Sequence, residues 1–402
     1  MTSYTTLIIL SGLVIFSYLF DLISGKTKIP SVILLMCLGI GIKQILDYFS
    51  FTALNFTNIL PTLGTLGLVL IVFEGALELR YSKDKNSIIK KSFFSALIIL
   101  LVTSLVVTLI IQYISGQDFY RCFINSIPFC VISSAVAIPA AANMSKEKKE
   151  FIVYESSFSD ILTVVLFNFM VNNRQISFSS FTKLGAELGV ISVVVICSCL
   201  LLLYLIGRLT HHVKSFLVIS ILILVYSIGQ MFHLSSLIIV LALGLFLNNA
   251  SQIKLPIFRK YFIYPKLRYD IKQLFQLSAE SAFLMRTFFF IMFGYTMDIY
   301  QLQNWSVLLS GTAMLVGIYL VRFLYIKLVS KTDLMPELVL IPRGLISVLL
   351  FYSLPAELKI KGIETGLLFV VILGTSLILS LGLLITKRQG LSTQQGDTDF
   401  ES

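Results

Sequence analysis

Charged residues are scarce in this sequence. Asp, Glu, Lys and Arg make up 13% of its 402 residues, whereas soluble domains carry about a quarter. The composition is 57% hydrophobic, which is more apolar material than one soluble core buries. The apolar residues also form blocks of about 17–25 residues, the length that crosses a bilayer as a helix. We therefore predict an all-α integral membrane protein with about 13 transmembrane helices.

Several motifs of soluble chemistry are missing as well. The sequence contains no G-x-x-x-x-G-K-[ST] phosphate loop, no G-x-G-x-x-G dinucleotide-binding motif and no H-E-x-x-H zinc-protease motif. ATP-driven transport is therefore not predicted, and neither is zinc-dependent hydrolysis. We expect no cofactor. All five cysteines lie within apolar blocks, where a thiol is expected to pack and not to form a disulfide. We attribute the net charge of +10 to cytoplasmic loops and not to nucleic-acid binding.

The basic residues alternate between loops in a way that sets the topology. The predicted spans are residues 5–23, 29–46, 58–79, 92–114, 121–143, 151–171, 185–206, 214–230, 232–248, 276–297, 305–329, 336–354 and 363–386. With the N-terminus outside, Lys and Arg concentrate in every second loop, which the positive-inside rule places in the cytoplasm. We therefore predict a multi-pass protein of the plasma (inner) membrane with a cytoplasmic C-terminus.

Thirteen spans can form two repeats of six helices in opposite orientation, with one linker helix between them. We predict one transmembrane domain, 1–389, with repeat one at about 5–171, a linker helix at about 185–206 and repeat two at about 214–386, followed by a disordered cytoplasmic tail, 390–402. Pro128 and Pro139 interrupt the fifth span, and Pro342 interrupts the twelfth, its counterpart in repeat two. Matched interruptions indicate a transport site at the middle of the membrane, although proline is also common in membrane helices.

A few ionisable residues lie inside the apolar blocks, where a charge costs about 2.5–3.5 kcal/mol on insertion scales. They are Glu74, Glu155, Asp160, Arg286, Arg322 and Arg343. A charge kept at that depth needs a partner or a function. We predict that Arg322, near the end of its span, lies at the membrane interface. Glu74 is expected to be mainly structural, and Glu74 and Arg286 are secondary site candidates.

The sixth span carries two polar faces. On a helix, Glu155 and Ser159 share one face, and Ser156 and Asp160 share another. We predict that Glu155 forms a structural ion pair with an arginine, Arg343 being preferred, and that Ser159 hydrogen-bonds to Glu155. Asp160, backed by the Ser156 hydroxyl, is predicted to face a cavity and to bind the ion. In the alternative, both acids lie near the helix start and are stabilised there as first-turn acids.

The fifth span offers oxygen ligands for such an ion. Pro139 has no N–H, so the carbonyl of Ala135 is left free, and Ser133 and Ser134 add hydroxyls beside it. Carboxylate, hydroxyl and carbonyl oxygens suit Na⁺, Li⁺ or K⁺ and not soft metals. We predict a Na⁺ site at Asp160 that includes both serines. In the alternative, the two serines are ordinary small residues at a helix contact.

Four segments carry a family resemblance. Residues 73–79, FEGALEL, match F-E-G-G-L-x-L in part, residues 155–160, ESSFSD, match E-S-x-x-N-D, and residues 343–347, RGLIS, match R-G-x-x-S. Lys28-Ile29-Pro30, with Gly39, opens the second span. Together they resemble the monovalent cation:proton antiporter superfamily, nearest its sodium/proton exchanger branch. The resemblance implies the sodium/proton antiporter fold with crossed, unwound helices 5 and 12, and a homodimer. It also implies that Asp160 binds cation and proton in turn and that Glu155 pairs with Arg343.

Two positions depart from that pattern. Ser159 stands where the family has Asn, and Ser133-Ser134-Ala135 replaces a T-D-P triplet, so the second acid is absent. This stretch resembles the S-S-T segment of potassium-efflux relatives. We predict a secondary transporter and not an enzyme: an antiporter that exchanges Na⁺ or Li⁺ for H⁺, electroneutrally at 1:1, by alternating access. The alternatives are a K⁺/H⁺ antiporter or K⁺ efflux transporter, a transporter-derived sensor, and a membrane-embedded transferase.

Overall fold

The computed structural model of the chain describes residues 3–27, 31–48, 59–79, 85–141, 144–174, 178–208, 214–232, 234, 236–297, 299–360, 362–363 and 365–398. Lys28, Ile29 and Pro30, which open the second predicted span, lie outside the described residues. The α-helices are α1 (Ser3–Thr27), α2 (Ser31–Tyr48), α3 (Ile59–Glu78), α4 (Asn86–Ser115), α5 (Phe119–Ser126), α6 (Ser134–Ala140), α7 (Lys146–Asn172), α8 (Phe178–Arg208), α9 (Lys214–Met231), α10 (Ser236–Asn249), α11 (Pro256–Phe262), α12 (Leu267–Thr296), α13 (Trp305–Tyr325), α14 (Leu345–Tyr352) and α15 (Thr365–Thr398).

Each predicted span overlaps a helix or an interrupted helix. In the described part of the chain, eight helices are long and apolar enough to cross a membrane, and three shorter apolar helices lie at Ser11–Phe20, Gly64–Leu77 and Ser236–Gln252. The remaining predicted spans correspond to α7 and to the interrupted segment that contains α14. The all-α class and the multi-span architecture predicted from the sequence are therefore confirmed.

The last helix is longer than predicted. α15 continues to Thr398, whereas we predicted a disordered tail from residue 390 onward. The segment contains no proline, so every residue in it retains the backbone N–H that a helix needs. The predicted start of the tail is thus corrected for residues 390–398, and residues 399–402 lie outside the described residues.

The fifth span is interrupted at Pro128 and the twelfth around Pro342, as predicted, whereas Pro139 lies inside α6. α5 passes into a 3₁₀ turn at Ile127–Phe129, and α6 begins only at Ser134. The twelfth span is non-helical up to Gly344, where α14 begins. The two interruptions cross, because the backbone N–H of Ser133 donates to the carbonyl of Pro342 at 2.8 Å. Gly344 permits this approach, since a Cβ atom there would lie 2.8 Å from the Cβ of Ser133.

The helices pack in two bundles. In the first bundle α2 and α3 pack against α12, and α10 packs against α3. In the second bundle α4 packs against α7 and α13, α13 packs against α15, and α6 packs against α7. Contacts between the bundles are sparser and run mainly from α14 to α3 and α12, and from α7 to α3 and α10. The polar residues of α6 and α7 therefore lie close to the boundary between two separately packed units.

Candidate cation-binding site

Asp160 lies deep within α7. The helix begins at Lys146, and its first-turn acid is Glu147. At 3.6 residues per turn, Asp160 follows about four turns later. Asp160 is 8% exposed and Glu155 is 2% exposed. The alternative interpretation of these two acids as first-turn residues at the helix start is therefore wrong.

A small cavity of about 20 Å³, room for about one water-sized ligand, opens beside Asp160 at the boundary between the bundles. Ser157 and Asp160 of α7 and Ile346 of α14 line it, together with apolar residues of α3 and α10. Among the described residues, the Asp160 Oδ1 and Ser157 Oγ atoms are buried and have no hydrogen-bond partner. Buried oxygens without a partner are costly, and a proton or a small cation satisfies them. The cavity is thus mainly apolar, with Asp160 and Ser157 as the hard oxygen ligands in its lining, and such oxygens are of the kind that bind Na⁺.

Ser134 adds two polar groups to this site. It is the first residue of α6, and it interacts with the Asp160 carboxylate through both its hydroxyl and its backbone N–H. Ser133, one residue earlier, lies instead against Gly344 at the crossing of the two interrupted spans. Of the two serines predicted to bind the ion, the structure therefore brings Ser134 to Asp160 and places Ser133 in the crossing.

The structure does not bring Ser156 to Asp160. The Ser156 hydroxyl donates to the carbonyl of Ile152 at 2.8 Å, a bond to the preceding turn that serines in helices often make. The hydroxyl beside Asp160 in the cavity belongs to Ser157, which the sequence analysis missed. Ser157 and Asp160 are three residues apart, a spacing that shares a helix face as well as the four-residue spacing does.

Glu155 pairs with Arg322, so the predicted pair with Arg343 is wrong. Arg322 Nη1 and Nη2 donate to the two Glu155 carboxylate oxygens at 2.6 and 2.9 Å, and the Ser95 hydroxyl donates to the same carboxylate. Arg322 is 1% exposed, so its predicted interface position is also wrong. Ser159 does not hydrogen-bond to Glu155 as predicted; its hydroxyl oxygen accepts the backbone N–H of Ile132 at 2.9 Å.

Arg343 is held by backbone carbonyls. Its Nε donates to the carbonyl of Phe129 at 2.7 Å and its Nη1 to that of Ile341 at 3.2 Å. Its backbone N–H donates to the Thr375 hydroxyl at 3.0 Å. Within the described structure Arg343 forms no ion pair with a carboxylate. Phe129 ends the 3₁₀ turn after α5, and the carbonyl end of a helix carries partial negative charge. Arg343 therefore stabilises the crossing.

Glu74 and Arg286 meet in an adjoining cavity. Arg286 Nη2 lies 3.9 Å from Glu74 Oε2, and Arg286 Nη1 donates to the carbonyl of Ala135 at 3.1 Å. This is the carbonyl that the sequence predicts to be left free by Pro139. The cavity, of about 140 Å³, is also lined by Ser134 and Pro139 and shares Ile71 and Gly75 with the cavity beside Asp160.

Ser157→Ala is expected to weaken cation binding, whereas Ser156→Ala is expected to leave it nearly unchanged. The first substitution removes an oxygen that lines the cavity, and the second removes a hydroxyl that bonds to its own helix. One lost ligand oxygen corresponds to about 1–2 kcal/mol, or roughly a tenfold rise in the cation KM. Cation titration of exchange in vesicles measures both values. Equal effects at the two positions would contradict this assignment.

Crossed, interrupted helices with a buried carboxylate at the boundary between two bundles are typical of secondary transporters. The family described as "Sodium/hydrogen exchanger, transmembrane" matches residues 11–387. The chain therefore belongs to the sodium/hydrogen exchanger family, which is a family of transporters. This confirms the sodium/proton exchanger branch predicted from the sequence, and with it a multi-pass integral membrane protein.

Solved structures support the same fold. The sodium proton antiporter MjNhaP1 from Methanocaldococcus jannaschii at pH 8 superimposes with a TM-score of 0.71 at 21% identity, covering 96% of this chain and 99% of that chain. The structure from a 3D EM map of the same antiporter gives a TM-score of 0.68 at 20% identity, covering 98% of each chain. A comparison with curated proteins gives no significant match. At this level of identity the likeness to MjNhaP1 establishes the fold.

Proposed function

We propose that this member of a cation/proton antiporter family exchanges Na⁺ or Li⁺ for H⁺ at Asp160. The observation that carries the proposal is the Asp160 Oδ1 atom, which is buried at a cavity without a hydrogen-bond partner in the described structure. A buried carboxylate needs a compensating charge or a proton. A cation held by Asp160, Ser134 and Ser157 supplies the first, and protonation of Asp160 supplies the second.

Competition between these two ligands gives exchange without ATP. A cation and a proton neutralise the same carboxylate, so binding of one displaces the other. We propose that the second bundle moves relative to the first only when Asp160 is neutralised, which gives alternating access. The sparse packing between the bundles supports this motion, and so does the position of the cavity at their boundary.

With a single titrating carboxylate in the site, exchange is expected to be electroneutral, one cation for one proton. The measurement is Na⁺ flux in proteoliposomes at a series of membrane potentials. A K⁺ gradient with valinomycin sets each potential, separately from the Na⁺ and pH gradients under test. We expect the pH gradient that stops Na⁺ flux to be independent of the potential. If the pH gradient at zero Na⁺ flux changes with the membrane potential, 1:1 exchange is contradicted.

K⁺/H⁺ exchange is the second candidate, because Ser133-Ser134-Ala135 places hydroxyls where the family pattern has an acid. Carboxylate and hydroxyl oxygens are hard ligands that suit K⁺ as well as Na⁺ and Li⁺. Dequenching of a pH-sensitive dye in everted vesicles, with Na⁺, Li⁺ and K⁺ added in turn, separates the two candidates. A response to Na⁺ and Li⁺ but not to K⁺ supports the primary proposal.

The repeats, the orientation and the oligomeric state belong to the same proposal. Repeats at about 5–171 and 214–386, joined by a linker helix, place the two interrupted spans at matching positions. The alternating basic loops support an external N-terminus and a cytoplasmic C-terminus. The homodimer implied by the family resemblance stays a prediction, which mass measurement of the purified protein in detergent tests.

A further inference from the structure

One arginine side chain links the two bundles beside the candidate site. Arg286 belongs to α12 of the first bundle, and its Nη1 donates to the carbonyl of Ala135 in α6 of the second bundle at 3.1 Å. Its Nη2 lies 3.9 Å from Glu74 on α3, within its own bundle. If the bundles move apart, the bond to Ala135 breaks while the pair with Glu74 is retained.

The carbonyl that accepts this bond is available because of Pro139. In a regular helix the carbonyl of Ala135 would accept the N–H of residue 139, and proline has none. Ala135 directly follows Ser134, which interacts with the Asp160 carboxylate. A bond to the Ala135 carbonyl therefore fixes the turn of α6 that presents Ser134 to the site.

The guanidinium is only partly satisfied where it lies. An arginine has five N–H donors, yet Arg286 Nε is buried with no hydrogen-bond partner in the part of the chain that the structure describes. The distance to Glu74 is that of an ion pair and not of a hydrogen bond. The side chain is thus held by one carbonyl bond and one longer ionic contact, an arrangement that a nearby charge can displace.

We propose that Arg286 is a cation-sensitive tie between the two bundles. The tie holds α6 against the first bundle when Asp160 binds neither a cation nor a proton. A cation at Asp160 and Ser134 repels the guanidinium across a region of low dielectric, the bond to Ala135 breaks, and Glu74 retains the displaced side chain. Arg286 is therefore a positioning residue that links release of α6 to neutralisation of Asp160, and this role depends on the proposed function of Asp160.

Transport kinetics test the tie. Arg286→Gln removes both the repulsion and the bond to α6, so the cation KM is expected to fall by about fivefold or more, the usual lower range for coupling between sites. Arg286→Lys keeps the charge and is expected to restore a KM close to that of the wild type. The matched control is Lys43→Gln, which removes a lysine that donates to the carbonyl of Met297 at 3.0 Å, a bond within the first bundle. An unchanged or raised KM in Arg286→Gln would overturn the proposal.

Hydrogen exchange of the amides at 134–138 and 140 tests the tie without relying on transport. In wild-type protein, NaCl is expected to speed exchange in this segment at least about threefold over choline chloride at equal ionic strength, through local opening. In Arg286→Gln, exchange is expected to be fast in both salts. Wild-type rates in Arg286→Gln would refute the tie. Faster exchange in Arg286→Gln, combined with no Na⁺ response in the wild type, would refute cation sensitivity and count against Asp160 as the Na⁺ site, while leaving the tie itself in place.

Discussion

Asp160→Asn is expected to reduce cation/proton exchange to background while leaving the protein folded. The amide has nearly the shape of the carboxylate, but it carries neither the charge that binds a cation nor the proton that replaces it. The substitution also removes a buried charge, so no loss of stability is expected from it. Dequenching of a pH-sensitive dye in everted vesicles measures the exchange, and thermal unfolding in detergent measures the folding.

The matched control for this result is Glu147→Gln. Glu147 is an exposed acid in the first turn of the same helix, so the substitution makes the same chemical change away from the cavity. We expect wild-type exchange in that variant. Cation-driven proton movement that persists in Asp160→Asn would remove this carboxylate from the mechanism.

Glu155→Gln is expected to lower the free energy of unfolding by about 3–5 kcal/mol, because it leaves the buried Arg322 guanidinium without its compensating charge. Both side chains are at most 2% exposed, and two hydrogen bonds join them. Arg322 Nε also donates to the carbonyl of Glu337 at 3.2 Å, so this side chain connects α7 and α13 to the segment that leads into the crossing.

A double-mutant cycle measures this pair against the one predicted from the sequence. With Glu155→Gln and Arg322→Gln combined, much of the lost stability is expected to return, giving a coupling energy of about 3 kcal/mol. Glu155→Gln combined with Arg343→Gln is expected to be additive within about 0.5 kcal/mol. Chemical unfolding in mixed micelles provides the free energies. Strong coupling of Glu155 to Arg343 would contradict the observed pairing.

The sequence predicts the spans and the interruptions well, for physical reasons. Apolar blocks of bilayer length have few alternatives in a chain this poor in charge. Pro128 and Pro342 each lack a backbone donor and lie in the two interrupted segments, so the two breaks are largely local consequences of single residues. The depth of Asp160 follows in the same way, since the length of the sixth span places it far from either end.

The partner of Glu155 does not follow from such local rules. The sequence places three arginines inside predicted spans, and only the packing decides which of them reaches α7. Arg286 lies on α12, Arg322 on α13 and Arg343 in the segment before α14. Arg322 resembles an interface residue because its predicted span ends shortly afterwards. In the structure, α13 continues into a π-helical segment, Ile326–Ser330, and Arg322 faces the interior.

The choice between Ser156 and Ser157 also required the structure. Ser156 precedes Asp160 by four residues and Ser157 by three, and both spacings place a side chain on the same helix face as the carboxylate. The position of the cavity, which depends on α3, α10 and α14, decides between them. Likewise, the acceptor role of the Ala135 carbonyl toward Arg286 depends on the packing of α12.

Proton release on cation binding is the most direct test of the shared carboxylate. Purified protein in a weakly buffered detergent solution is titrated with NaCl while a pH indicator is followed, with choline chloride as the ionic-strength control. We expect saturable release approaching about one proton per chain in the wild type, since a bound cation displaces the proton from its ligand, and no release in Asp160→Asn. Equal proton release from the wild type and Asp160→Asn would contradict the shared carboxylate. Na⁺ binding that releases no proton at any pH at which exchange occurs would also contradict it.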